Sequence, residues 1–286
     1  MENSAAGWRL ARRFVAGATL EQVVAATRAV NAAGIAATID HLGEHVASAN
    51  LAQANAQSYH AVLEAILANR LHANASIKLT NLGLDLDAAR CARFVCSLAE
   101  HAARCDSFIR VDMESSAYTQ RTVDLVRGLH RNGVKAVGTV IQACLRRSPA
   151  DVARLCSEGI RIRLVKGAYR EPKQVAFARK AEVDKNFLDL AGRLLSSGLY
   201  HAIATHDERI IRALIAFVRQ EKISRHAFEF QMLYGVRRDL QQRLAAEGWR
   251  VRVYIPFGSE WYPYFMRRLG ERPANFWFLA KNLLRE

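Results

Sequence analysis

The residues best equipped for chemistry are cations spaced among a few polar partners. Tyr264, Arg267 and Arg268 stand at i, i+3 and i+4, so all three can project from one side of a helix. The planar fork of an arginine binds a carboxylate through two parallel hydrogen bonds. Glu271, one turn beyond Arg267, can orient the pair. Lys78, Arg163 and Lys166 sit near the ends of β-rich runs, and Gly167 and Ala168 follow Lys166. A cation beside a glycine suits close backbone approach to a phosphate. Glu44, Asp112, Glu114, Gln142, Thr205, His206, Asp207, Glu229, Gln231 and Tyr254 occupy the same class of position. Each has an ordinary structural reading: Lys78 and Asp112 as a buried ion pair, His206 as a capped histidine, Arg267 and Glu271 as a surface helix pair. Together they describe a pocket for a small anionic molecule, with a phosphate-bearing cofactor beside it. Other chemistries are poorly served. The chain has no H-E-x-x-H, C-x-x-C, G-x-S-x-G or G-x-G-x-x-G, so no metal site is expected.

These positions are meaningful because of the elements around them. Eight β-rich runs are expected at 36–42, 76–79, 108–113, 134–141, 160–165, 200–205, 227–232 and 250–255. Amphipathic stretches separate them, at 51–71, 85–104, 118–131, 148–158, 173–196, 207–221 and 236–247. Ser148 and Pro149 read as the cap and first residue of their helix. Strict alternation of strand and helix demands a parallel sheet with crossovers. Eight such units in about 250 residues predict a closed (β/α)8 TIM barrel, whose active site lies at the C-terminal strand ends. A helical preface is expected over 1–35. The barrel then fills 36–286, with closing helices at 261–269 and 275–284.

Composition narrows the classes. The chain has 286 residues, 41 of them Lys or Arg and 27 Asp or Glu, for a net charge of +14. No apolar run approaches the roughly 20 residues that span a bilayer, and Met1–Leu10 has no apolar signal core. A cytoplasmic location is therefore expected. Five cysteines without close pairing read as free thiols. The positive charge is spread out, with no block of five or six like charges, which favours a solvated surface over nucleic-acid binding. A basic nucleic-acid-binding barrel is the rival from another class. It does not account for the strand-end constellation.

Four stretches go further: RLVKGAYREP at 163–172, IATHDERII at 203–211, FEFQMLYGVR at 228–237 and YIPFGSEWYPYFMRRLGERPAN at 254–275. With SIKLT at 76–80, RVDMES at 110–115 and VIQACLRR at 140–147, they resemble the proline dehydrogenase family from about residue 36 to the C-terminus. The resemblance implies a distorted (β/α)8 barrel that binds FAD without a Rossmann fingerprint. It implies oxidation of L-proline to Δ1-pyrroline-5-carboxylate by hydride transfer to flavin N5, with electrons passed to a membrane quinone. It implies a monofunctional, bacterial-type enzyme that works with a separate pyrroline-5-carboxylate dehydrogenase. The diffuse positive charge, for its part, is expected to favour peripheral contact with the anionic inner face of the membrane.

Site roles follow from the same resemblance. Arg267 and Arg268 clamp the proline carboxylate beside Lys78. Tyr254, Tyr264 and Leu233 pack the ring. Asp112 and Arg163 are the catalytic residues, with Asp112 paired to Lys78 and Arg163 lying by flavin N5. Met113, Gln142, Lys166, Gly167, Ala168, Thr205 and His206 line the FAD, and Glu44 and Glu271 act at the gate. A hydroxyproline or other cyclic imino acid dehydrogenase is the alternative on the same scaffold.

Overall fold

A computed structural model describes residues 5–270 of the chain. Eight parallel strands close into a barrel in chain order: β1 (Ala36–His41), β2 (Ala73–Ile77), β3 (Ile109–Val111), β4 (Val137–Gln142), β5 (Ile162–Val165), β6 (His201–Ala204), β7 (Phe228–Leu233) and β8 (Val251–Phe257). β8 pairs with β1 over Ala36–His41, which completes the ring. Seven helices connect successive strands: α3 (Ala49–Ala68), α4 (Ala88–Arg104), α5 (Ser116–Arg131), α6 (Ser148–Ser157), α7 (Lys180–Leu195), α8 (Glu208–Gln220) and α9 (Arg238–Ala246). The predicted (β/α)8 architecture is the observed one.

Alternation along each strand sorts the side chains. In β1, Ala37 and Ile39 join the apolar layer beneath the helices, with Ala75, Ile77, Ile109 and Val111. Thr38 and Asp40 take the other face. The barrel interior is unusually polar for a fold normally filled by branched aliphatics. Thr38, Asp40, Asn74, Ser76, Arg110, Arg163, Glu229, Gln231 and Arg252 are all buried.

Two helices precede the barrel, α1 (Ala5–Ala11) and α2 (Leu20–Ala32), in place of one continuous preface. The break falls at Gly17–Thr19, where Thr19 and Gln22 form a reciprocal capping box that opens α2. α2 packs against β8, β1 and α3, closing the ring of outer helices. The last described helix, α10 (Trp261–Gly270), packs on α1 instead. Trp8 and Trp261 pack at a tilt of 59° with ring centroids 5.1 Å apart, and Phe14, Val15 and Phe265 fill the seam. The α1–α2 connection crosses the turn after β7 so closely that a Cβ on Gly235 (φ +74°) would meet the Arg13 carbonyl at 1.8 Å. The expected helix at 275–284 lies outside the described residues.

Two local expectations are corrected. The helix expected over 173–196 begins at Lys180, because residues 175–177 pair with 144–146. Arg146 N–H donates to Val175, and Phe177 N–H donates to Cys144. Pro172 turns the chain just ahead of this stretch, its carbonyl accepting from Val175 and Ala176 N–H, and the pairing supplies further backbone partners. Ser148 is not the cap of α6. It is the first helical residue, and its hydroxyl donates to the Gln142 carbonyl at 2.5 Å, tying the helix to the end of β4. All five cysteines are free thiols, and among the described residues no helix is long and apolar enough to cross a membrane.

Candidate active site

A cavity of about 780 Å³ opens at the C-terminal ends of the strands. Every residue of the expected strand-end set lines it except Glu229, which is buried among the barrel interior residues, and Glu271, which lies outside the described residues. Lys78 and Asp112 each stand one residue past β2 and β3. Gln142, Arg163, Leu233 and Tyr254 come from β4, β5, β7 and β8, Thr205 and His206 follow β6, and Tyr264, Arg267 and Arg268 hang over the mouth from α10.

The expected Lys78–Asp112 pair does not form. Lys78 Nζ donates to both oxygens of Asp40, at 2.9 and 3.1 Å, and Asp40 is wholly buried. The Tyr59 hydroxyl, 3.4 Å from Asp40 and donating to the His41 carbonyl at 3.0 Å, closes the pair from behind. Desolvation acts to discharge Lys78, but Asp40, Asp112 and Glu44 outweigh it and hold the ammonium above its usual pKa.

Asp112 serves a different cation. It accepts from Arg163 Nη1 at 2.6 Å, from Ser76 at 2.8 Å and from the Tyr254 hydroxyl at 2.7 Å. Burial first, and Asp112 second, push the Tyr254 phenol well above its ordinary range, so it remains a donor. The Arg163 guanidinium lies 5.3 Å from the Tyr254 ring centroid. Its Nε donates to Gln231 at 2.5 Å, while its Nη2 is buried with no hydrogen-bond partner.

At the mouth, Glu44 pairs with Arg267 at 2.8 Å, a contact across 223 residues of chain. The loop that bears Glu44 rests on Thr80, whose hydroxyl accepts from His45 N–H and whose carbonyl accepts from Val46 N–H. Thr80 in turn donates its hydroxyl and its N–H to Glu114, a buried carboxyl that desolvation pushes upward. Arg268 lies 5.1 Å from the Tyr264 ring.

On the opposite wall, Gln142 donates to the carbonyls of Met113 and Glu114 at 3.3 and 2.7 Å. His206 Nε2 accepts from the Leu233 N–H at 2.9 Å. Gly167 has φ +115°, and a Cβ there would fall 2.3 Å from Cys144 Sγ, so only glycine lets the chain pass Cys144 here, and residues 166–168 line the cavity. Lys166 is held by Asp184 at 2.5 Å and Asp207 at 3.0 Å.

The site is thus less one-sidedly cationic than its strand-end residues suggest. Asp40 and Tyr169 went unnoticed in the sequence. Asp40 sits mid-strand, yet its signal was available: one carboxylate on the Thr38 face of a short buried run. Tyr169 directly follows the KGA stretch, and burial pushes its phenol up to about 12.

The family profile for proline dehydrogenase matches residues 23–281. The chain belongs to the proline dehydrogenase family. The match starts earlier than the motifs alone reach and takes in most of α2, the helix that completes the outer ring. Proline dehydrogenase 1 of Bacillus subtilis (strain 168) is 41% identical over 98% of this chain and 93% of its own. The proline dehydrogenase of Deinococcus radiodurans is 42% identical over 97% of this chain and 91% of its own. The bifunctional protein PutA of Escherichia coli (strain K12) is 29% identical over 95% of this chain but only 24% of its own. Proline utilization A from Bdellovibrio bacteriovorus, crystallised after inactivation by N-propargylglycine, shares the fold with a TM-score of 0.86 at 24% identity; the match covers 92% of this chain and 32% of that one. The chain therefore has the proline dehydrogenase activity of its relatives, and spans about a third of the PutA structure it matches.

Proposed function

We propose that this proline dehydrogenase is a monofunctional, FAD-dependent enzyme that oxidises L-proline to Δ1-pyrroline-5-carboxylate, the first step of proline catabolism. The observation that carries the flavin reading is Arg163 Nη2, a buried and unpartnered donor inside the cavity. A buried donor calls for an acceptor, and an electron-rich ring system supplies one. The glycine turn at Gly167, the amide of Gln142 and the Thr205–His206 corner fit the rest of a dinucleotide along the same wall. Bound there, the flavin supplies the two-electron acceptor for hydride from the ring carbon next to nitrogen.

The chain's own residues do the remainder. Arg267, Arg268 and Lys78 neutralise the carboxylate, and Tyr254, Tyr264 and Leu233 enclose the ring. Arg163 opposes negative charge developing on the acceptor, with Asp112 holding it in place. Glu44 occupies Arg267 from the mouth and so can close over bound substrate. Electrons then pass to a membrane quinone, and the product to a separate pyrroline-5-carboxylate dehydrogenase. The net charge of +14 supports a cytoplasmic protein held peripherally on the anionic inner face of the membrane.

The deciding experiment is optical. Purified protein is yellow, and anaerobic L-proline bleaches its flavin absorbance. Colourless protein that rejects added FAD overturns the reading. Arg268→Ala raises KM for proline about 10- to 100-fold, the scale of a lost hydrogen bond to a charged group, while flavin content stays constant. An unchanged KM would remove Arg268 from the clamp.

The pH profile tests the state of the substrate. Hydride leaves a carbon next to a free amine, so kcat/KM rises with pH. Lys78 and Tyr254 both titrate above their ordinary values and keep their protons throughout. Deprotonation of the proline amine sets a rise of about tenfold per unit between roughly pH 6 and 9. A flat profile contradicts it.

A further inference from the structure

We propose that Gln231 and Glu229 are positioning residues that aim Arg163 at the flavin. The inference rests on the flavin reading above and concerns what fixes the one free donor of Arg163. Both residues belong to β7 at i and i+2, so they share a face, and both are buried in the barrel interior.

The guanidinium is planar and rigid, so two anchored nitrogens determine where the third points. Nη1 is anchored by Asp112 and Ser76, and Nε by Gln231. An arginine can only donate, so Gln231 must turn its carbonyl oxygen towards Arg163. Nothing in a primary amide's shape imposes that choice. Glu229 does: it accepts from Gln231 Nε2 at 2.5 Å and so fixes which end of the amide faces which way.

Glu229 must be ionised to play this part. Desolvation opposes ionisation, but Arg252, Gln231 and Tyr200 overcome it and hold the carboxyl below its usual range. Arg252 Nε reaches both carboxylate oxygens at 2.8 and 2.9 Å, and the Tyr200 hydroxyl donates at 2.9 Å. Arg252 is itself fixed by donating to the Ala37 carbonyl at 2.6 Å. A column of hydrogen bonds thus runs through the barrel interior, with Arg163 through Gln231 on one side and Arg252 on the other both donating towards Glu229. Packing alone is served better by aliphatic side chains at these depths.

The test uses the flavin-loaded enzyme and three variants: Glu229→Gln, Gln231→Leu, and the exchange Glu229→Gln/Gln231→Glu. The exchange keeps net charge and volume and restores an acceptor to Arg163. Flavin content, midpoint potential, KM for proline and the anaerobic rate of flavin reduction are measured. Both single variants should retain flavin and a near-normal KM. Their reduction rate should fall roughly 10- to 100-fold, the scale of an ångström's misplacement, and their midpoint potential should become more negative. The exchange should recover most of both. A flavin-bearing Glu229→Gln enzyme with wild-type potential and rate overturns the proposal, as does an exchange no better than the single variants. If Gln231→Leu does not fold, the two volume-conserving variants decide. Wild-type protein that takes up no flavin instead defeats the function reading, a separate result.

Discussion

Asp40→Asn lowers the stability of the folded protein by about 3–5 kcal/mol, the scale for removing one partner of a buried ion pair. Lys78 is only 8% exposed, and Asp40 is the one group that reaches its ammonium with two hydrogen bonds. Without that carboxylate, desolvation dominates. Lys78 then stays charged at a high energetic cost or gives up its proton. Either outcome weakens an anion-binding wall, so KM for proline rises as well. Thermal unfolding should show the loss as a fall in melting temperature on the order of 10 °C.

The double variant Asp40→Ala/Lys78→Met separates the two roles. Removing both charges and substituting apolar volume recovers much of the stability, since a buried pair adds little net over packed side chains. The KM defect persists, because the cation is gone. A melting temperature and KM for Asp40→Asn within error of the parent would show that Lys78 does not depend on Asp40.

Arg163→Met slows anaerobic flavin reduction by about 100- to 1,000-fold, the range for deleting one preorganised donor at a site of developing charge. KM for proline changes little, because the carboxylate clamp lies on α10 and Lys78. The size of the effect follows from how many groups Arg163 organises. It is the partner of Asp112 and Gln231 and the only one of the three with an open donor in the cavity. Its removal leaves the half-buried Asp112 with Ser76 and Tyr254 alone. Arg163→Lys recovers only part of the rate, because a single ammonium cannot span Asp112 and Gln231 and still present a third donor. Stopped-flow reduction under anaerobic conditions measures this directly. A rate for Arg163→Met within about threefold of the parent, well below the expected range, would show that its charge does not matter to the transfer.

These expectations draw unequally on sequence and structure. The barrel was legible because strand and helix periodicities are local. Alternation of short β-rich runs with amphipathic helices leaves few other topologies. The cavity lining was legible for a related reason: each polar residue lies at or just past the end of its own run. The motifs around 163–172 and 254–275 then pointed to the family. Local patterns misled where tertiary contacts overrode them. Residues 173–179 read as helix, but 175–177 pair with 144–146, and Ser148 spends its hydroxyl on Gln142 in place of its own helix.

Pairing across the barrel was the least legible part. Lys78 with Asp112 was a reasonable match of charge and position, yet the structure joins Lys78 to Asp40 and Asp112 to Arg163. Local patterning carries the alternation of strand and helix, the polar strand ends, the family and most of the side chains around the cavity, Asp40 and Tyr169 excepted. That Lys78 meets Asp40 and Asp112 meets Arg163, and that α2 closes the helical ring while α1 braces α10, emerges from the folded barrel alone. Composition and spacing say which groups share an end of the barrel. Contact within a few ångströms is set by strand register and barrel closure, which join residues far apart in the chain.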